Sequence, residues 1–420
     1  MKVRGYVPWL YLAPALLILG VFLVYPTVET FLVSLHKNYY RPDRVFVGLA
    51  NYLDLLDDRG MLIAFRNNFV WLVVMTSATV GLGLLLAVLL DRVRYESLAK
   101  SVIFMPMAIS FTAASIIWRF VYAYRPPNRP QIGLLNGLLM GLRDLANDPA
   151  VQAALTLVAG IFGVLAAVFW GLALAKVVAE AVRRWREERH LEGLARVGLA
   201  GFLLLGLFYA VGIVARPPTG SLWEFLWFLL AVGGAGALLL VGAQDRRWGP
   251  LFLVSLLLAL GARFVLDQAD FQPQAWLTLR PWVNNLALIV AGIWVWTGFC
   301  MVVLSAAYKG IPSEMLEAAR IDGANEWQVF WHVTVPFMKS TLAAITTTII
   351  IFVLKTFDIV YVMTNGAFDT EVLANYMIRT LYSFPPRYGK ASAVAIVLML
   401  LIVPFIVINL RRFRAQEAMR

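Results

Sequence analysis

Three histidines, one cysteine and 25 carboxylates are the side chains of this 420-residue chain that could do covalent, acid–base or metal chemistry. Their spacing points elsewhere. His36, His190 and His332 are scattered without metal-ligand spacing. Cys300 stands alone inside an apolar run, which excludes an intrachain disulfide. No phosphate-cradling glycine loop ending in Gly-Lys-Ser/Thr occurs, so the chain is not expected to hydrolyse ATP itself. The informative polar stretch is 312–336, PSEMLEAARIDGANEWQVFWHVTVP, and it reads as mechanical. Ser313 can cap a helix whose first turns carry Glu314 and Glu317. Gly323 ends that helix, because glycine takes the left-handed terminal conformation without a Cβ penalty. Asn325 followed by Gln328 has capping-box spacing and starts a second helix, which Pro336 stops. Ala318 and Ala319 leave one face of the first helix smooth enough for close approach of a partner. Asp322 serves equally as a local turn former or a partner contact.

The elements that hold this stretch are membrane helices. The chain is 61% apolar and 15% charged, with mean hydropathy +0.75. Soluble domains have about 45–50% apolar and 25% charged residues. Apolar runs lie at 7–35, 69–90, 101–124, 150–178, 194–214, 222–242, 250–266, 284–308, 340–363 and 388–410. The first is too long for a cleavable leader and lacks a small-residue cleavage site, so it should remain as a helix. The net charge of +11 is gathered in short loops, which suits orientation in a membrane, with lipid as a neighbour, and not nucleic-acid binding. Ten spans with both termini cytoplasmic give the inner loops roughly twice the Lys/Arg density of the outer ones. Arg183, Arg184, Arg186 and Arg189, then Arg411, Arg412 and Arg414, contribute most.

The segment EAARIDGANEWQVFWHVTVP closely resembles the EAA loop of permease subunits in bacterial ABC importers, in the maltose and α-glucoside variety of binding-protein-dependent inner-membrane components. FVGLANYLDLL, FMPMAISFTAASIIWRFVY, IGLLNGLL and LKTFDIVYVMTNGAFDT are similar to further segments of that family, although Ala367 and Phe368 replace its usual Gly-Pro. The resemblance covers about 8–142 and 276–415 and none of the middle. It implies an all-α polytopic protein with a six-helix permease core, and the four extra apolar runs add four transmembrane helices inserted between core helices 3 and 4. Residues 1–142 would be the first half of the core, 143–275 the insert, and 276–420 the second half with the EAA loop at 309–339. An even number of added spans keeps the EAA loop on its proper side. The resemblance further implies a second, homologous permease, an ATPase dimer carrying ATP and Mg, an extracytoplasmic sugar-binding protein, and no cofactor in this chain. Glu317, Ala318, Ala319, Asp322 and Gly323 would couple to the ATPase, with Glu317 fixing the loop by pairing or capping.

Substrate-path candidates follow on neighbouring spans. Gly292, Val295, Trp296 and Phe299 fall at i, i+3, i+4, i+7 on one face of the span before the EAA loop. Such aromatics can stack on sugar rings, or pack between helices and face lipid. Phe352 and Thr356 match family positions facing the same cavity. Lys355 and Asp358 lie within an apparent span, so they should face a cavity or pair at i, i+3; Asp358 is also a substrate candidate. The insert offers only a small-residue pair, Gly233 and Ala237, and the basic loop RRWREERH. Three other classes compete. An integral-membrane enzyme would show clustered His, Asp or Glu, and the sequence has no such cluster. An ion-coupled secondary transporter would show paired repeats and several buried carboxylates, neither of which is visible. A non-transporting assembly or regulatory subunit would owe its role to the insert.

Overall fold

The computed structural model describes residues 7–91, 93–186, 271–279 and 281–417, with 258, 261 and 265. The runs at 194–214 and 222–242, nearly all of 250–266, the Gly233/Ala237 pair and the end of RRWREERH lie outside the described residues. The chain divides into two compact units, residues 1–123 with 275–420, and residues 124–274. Among the described residues, five helices are long and apolar enough to cross a membrane, or seven if each of two bent pairs is one span. Helices suit such segments because hydrocarbon offers no partner to a free N–H or C=O.

The first unit opens with α1 (Val7–Leu19), a π-turn (Gly20–Val24) and α2 (Tyr25–Ser34), which run on as one span. The Tyr25 N–H reaches back five residues to the Gly20 carbonyl, and the widened turn absorbs Pro26 without ending the helix. A two-residue hairpin, β1 (His36–Lys37) with β2 (Val45–Phe46), and α3 (Ala50–Leu56) lead to α4 (Arg59–Leu90). Asp58 caps α4 by accepting the Met61 N–H at 3.1 Å.

The run at 101–124, expected as one span, is bent in the structure. Helix α5 (Glu96–Phe104) passes through a 3₁₀ turn (Met105–Ala108) and breaks by 101° into α6 (Phe111–Val121). Pro106 removes an N–H at the break, and extended Ser110 restarts the helix by accepting the Ala113 N–H at 3.1 Å. The break packs on α9 (Pro281–Lys309) at Gly298, where a Cβ would stand 2.3 Å from the Ile103 carbonyl oxygen. Helices α4 and α9 lie closely against each other, with Gly83 on Cys300 and Gly292 on Met75.

Beyond α10 (Ser313–Ile321), an expectation is corrected. Pro336 does not stop the helix that begins at Glu326. Helix α11 (Glu326–Val329), a π-turn (Phe330–Thr334) and α12 (Val335–Leu354) form one continuous apolar element. Val335 N–H bonds to the Phe330 carbonyl, so a π-turn again precedes and absorbs a proline. The span expected at 340–363 therefore begins earlier and ends at Leu354; α13 (Asp358–Met363), α14 (Leu373–Leu381) and α15 (Tyr388–Glu417) follow. Trp71, Met75, Leu288, Ile289, Met301, Leu304 and Ile349 fill the centre of the unit.

In the second unit, α7 (Leu134–Ala146) meets α8 (Pro149–Arg186) at a 90° break. Asp148 accepts the N–H groups of Ala150 and Val151 at 2.9 and 3.1 Å and so starts α8. Asn136 exchanges two 3.0 Å hydrogen bonds with the backbone of Gln274, tying the two chain ends of this unit together.

Candidate functional site

The loop 310–328 is built almost wholly from local bonds. Helix α10 starts directly after Pro312; Ser313 is its first residue and not its cap, and no side chain caps it. Its C-terminus is a Schellman closure: Gly323 N–H donates to Arg320 O at 3.1 Å, and Ala324 N–H to Ala319 O at 3.0 Å. That geometry puts Gly323 at φ +86°, where a side chain would be strained. Asn325 then forms the expected capping box: its Oδ1 accepts the Gln328 N–H and Gln328 Oε1 accepts the Asn325 N–H, both at 2.9 Å. Arg320 pairs with Glu326 at 2.9 Å and straps the two helices together. The Glu317 side chain was expected to pair or cap; it makes no ion pair or hydrogen bond among the described residues, because Glu326 takes Arg320.

Glu317, Ala318, Asp322 and Gly323 are exposed and Ala319 is half-buried. Ile321 is 86% exposed, and Met315, Trp327 and Trp331 also project outward. A self-supporting helical hairpin thus presents an apolar edge beside the exposed Glu317 carboxylate. The exposed apolar residues carry no periodicity that marks them in sequence; the turn aims them.

The aromatic residues on α9 and α12 converge. Trp296 lies 4.3 Å from Phe352 and 5.9 Å from Phe299, between ring centroids. Phe111, at the start of α6, stacks on Trp296 at 5.6 Å; it enters only because the span breaks there. Trp296 is 6% exposed and Phe352 43%, so Phe352 is the open ring of the group. Gly292 and Val295 are packed inside the unit, Gly292 against Met75 and Val295 at 1% exposure. Thr356 and Asp358 stand at the break between α12 and α13, both half-buried. Lys355 is the exposed residue that ends α12, not a residue within a span, and it forms no ion pair with Asp358.

Comparison with known proteins decides the family. The model of the family "Binding-protein-dependent transport system inner membrane component" matches residues 218–414. The osmoprotective compounds uptake permease protein GgtC of Synechocystis is 38% identical over 411 residues, covering 98% of this chain and 100% of that protein. This chain belongs to that family. The alpha-glucoside transport system permease protein AglF of Rhizobium meliloti is 34% identical, over 96% of this chain and 81% of its own. The GgtC alignment is long enough to include the middle segment. A crystal structure of a bacterial alginate ABC transporter, in complex with an alginate pentasaccharide-bound periplasmic protein, shares the fold: TM-score 0.55, 14% identity, 97% of this chain and 93% of that one.

In this permease the turn TNGAFDT is held by two pairs of asparagines, one within α4 and one in the first turn of α9. Asn67, at 1% exposure, donates to Asp369 O at 2.7 Å and Glu371 O at 2.8 Å. Asn68 accepts the Leu373 N–H at 2.8 Å, Asn284 donates to Phe368 O at 3.1 Å, and Asn285 to Asp369 O at 3.1 Å. These bonds hold Phe368 and Asp369 at φ +57° and +59°. An L residue there costs about 1–2 kcal/mol, and the buried amides offset it. Asn67→Ala will leave the buried Glu371 carbonyl without that donor and lower stability by about 1–3 kcal/mol. A thermal melt of the detergent-solubilised permease reads this; a midpoint within about one degree of wild type refutes it.

Asp58 joins the same end of the unit to α15 through Lys390, at 2.6 Å. Burial alone raises the Asp58 carboxyl. Hydrogen bonds from Lys390, Tyr376 and the Met61 N–H outweigh it and hold the pKa at about 2, below its ordinary 3.8. The folded pKa is depressed, so this stabilisation is fully present above about pH 4 and disappears as pH falls toward 2. Lys390→Met will therefore lower the melting midpoint at pH 7 and at pH 5 alike, and the gap from wild type will narrow below pH 4. A gap that widens on acidification refutes the assignment.

Proposed function

We propose that this chain is one of two membrane subunits of an ATP-driven importer of sugars of the α-glucoside class. The observation that carries the reading is the hairpin 313–328, closed on itself by the Schellman turn and capping box, with Glu317 unpaired and Ile321 exposed. A surface braced from within and apolar at its edge suits a cleft on another protein, here a separate ATPase that binds ATP and Mg. Glu317, Ala318, Ala319, Asp322 and Gly323 make the contact or shape it. The α-glucoside and osmoprotectant names of the two relatives support the substrate class.

The architecture that goes with it is a six-span core, residues 1–142 and 276–420, interrupted by four spans in 143–275. Both termini and the 309–339 loop face the cytoplasm, consistent with the arginines at the end of α8 and at the end of α15. A homologous permease completes the path, and an extracytoplasmic binding protein delivers the sugar. The open ring Phe352, with Trp296, Phe299, Thr356 and Asp358 nearby in sequence or space, lies on the path. Closure of the ATPase dimer then rocks the helices through the loop.

The test is co-expression of the complete complex, with uptake of labelled maltose and trehalose and co-purification of the ATPase. The expected result is ATP-dependent uptake that Glu317→Lys abolishes with release of the ATPase. Uptake driven by an ion gradient without ATP, or an ATPase that never associates, overturns the reading. A chain joined from about 145 to 275 should retain uptake if the insert is an accessory.

A further inference from the structure

The α4–α5 turn, the start of α5 and the end of α9 meet in a cluster of alternating charge. Lys309, the last residue of α9, places its Nζ 2.6 Å from Glu96 Oε1 and 4.0 Å from Asp91 Oδ1. Glu96 also takes Lys100, one turn along α5. Lys100 in turn donates to the hydroxyl of Ser305, which is 3% exposed on α9. Three residues, Gly310, Ile311 and Pro312, then separate Lys309 from α10. That connector is short and pinned: Ile311 is 6% exposed, and its N–H donates to Tyr308 O at 3.1 Å. A displacement of α10 is thus passed to the end of α9.

We propose that Glu96 and Lys309 are positioning residues that make the bent span follow the hairpin, and this rests on the coupling role assigned above. The end of α9 has two routes to α5: backbone packing at Gly298, and this cluster. The cluster lies nearest α10, so it receives the displacement first. Helix α5 continues through the 101° break to α6, whose Phe111 stacks on Trp296. A push on α10 accordingly arrives, through Lys309–Glu96, at the aromatic group on the proposed path. The Lys309 side chain is 53% exposed. An exposed pair adds little to stability, so its removal should spare folding.

The test uses the complete complex in liposomes, in a Cys300→Ala background, with nitroxide labels at introduced cysteines replacing Leu98 on α5 and Leu400 on α15, both exposed. Mg·ATP with vanadate is the probe, and the distance between labels is read by pulsed electron resonance. The parent complex should show a distance shift. Lys309→Glu and Glu96→Lys should each retain the ATPase yet cut that shift by roughly threefold or more, and Lys309→Arg, which keeps a cation facing Glu96 and Asp91, should retain at least about half of it. Charge reversals that shift like the parent overturn the proposal. So do charge reversals that release the ATPase, or a Lys309→Arg variant that loses the shift as fully as Lys309→Glu, since both mark a merely structural cluster. An ATPase that fails to join the parent complex sinks the importer reading itself, and this inference with it.

Discussion

Gly323→Val will cut ATP-driven uptake by about tenfold or more while the chain still inserts and folds. A residue with a side chain pays about 1–2 kcal/mol at this φ, a β-branched one at the upper end, and each 1.4 kcal/mol is a factor of ten. The turn that pays is the one aligning α10 with α11, through Gly323 N–H to Arg320 O and Ala324 N–H to Ala319 O. A Cβ at Gly323 meets nothing within 4 Å, so the substitution creates no clash inside the chain. The melt should therefore fall by no more than that strain, a few degrees, while coupling falls much further. Gly323→Asn separates backbone from bulk, because asparagine enters the left-handed region readily. If conformation is what matters, the Asn variant transports well and the Val variant does not. Equal loss in both would assign the effect to bulk at the ATPase contact, and wild-type uptake by the Val variant would refute the coupling role of this turn.

What could be seen in the sequence was local or periodic. The Gly323 turn and the Asn325–Gln328 box each join residues within a few positions, so composition and spacing suffice. The apolar runs announce helices because hydrocarbon requires them. The break at Pro106 and the continuation through Pro336 share one cause: a proline is ambiguous until its neighbours are known. Pro106 and Pro336 both sit in long apolar surroundings, yet Pro106 joins a 101° break and Pro336 follows a π-turn that carries the helix on. Tertiary pairing was also out of reach. The doublets Asn67–Asn68 and Asn284–Asn285 are visible at the entrances of two spans, but the carbonyls that Asn67 meets lie about 300 residues away. The path candidates divided for a similar reason. Helical spacing put Gly292 and Val295 with Trp296, whereas Gly292 packs on Met75 of α4, Val295 is buried in the unit, and the break at Ser110 brings in Phe111.

Gly298→Ala will be far more damaging than Gly292→Ala, although both add one methyl to the same helix. At Gly298 the new carbon would stand 2.3 Å from Ile103 O, 2.7 Å from Phe104 Cα and 2.9 Å from Ile103 C. All three are backbone atoms of a segment fixed on both sides, so none can swing aside. At Gly292 the nearest atoms are Met75 Cε at 2.7 Å and Sδ at 2.9 Å, the free end of a flexible side chain. The expected cost is about 3 kcal/mol or more at Gly298 and about 1 kcal/mol at Gly292. Yield and thermal midpoint of the solubilised chain check this, and equal midpoints refute it. The functional consequence follows from the same contact. If α9 and α5 are forced apart at Ile103, Lys100 one turn away loses Ser305, and Phe111 beyond the break loses Trp296. A chain that survives the substitution should then bind its ATPase through an intact hairpin and still fail to transport.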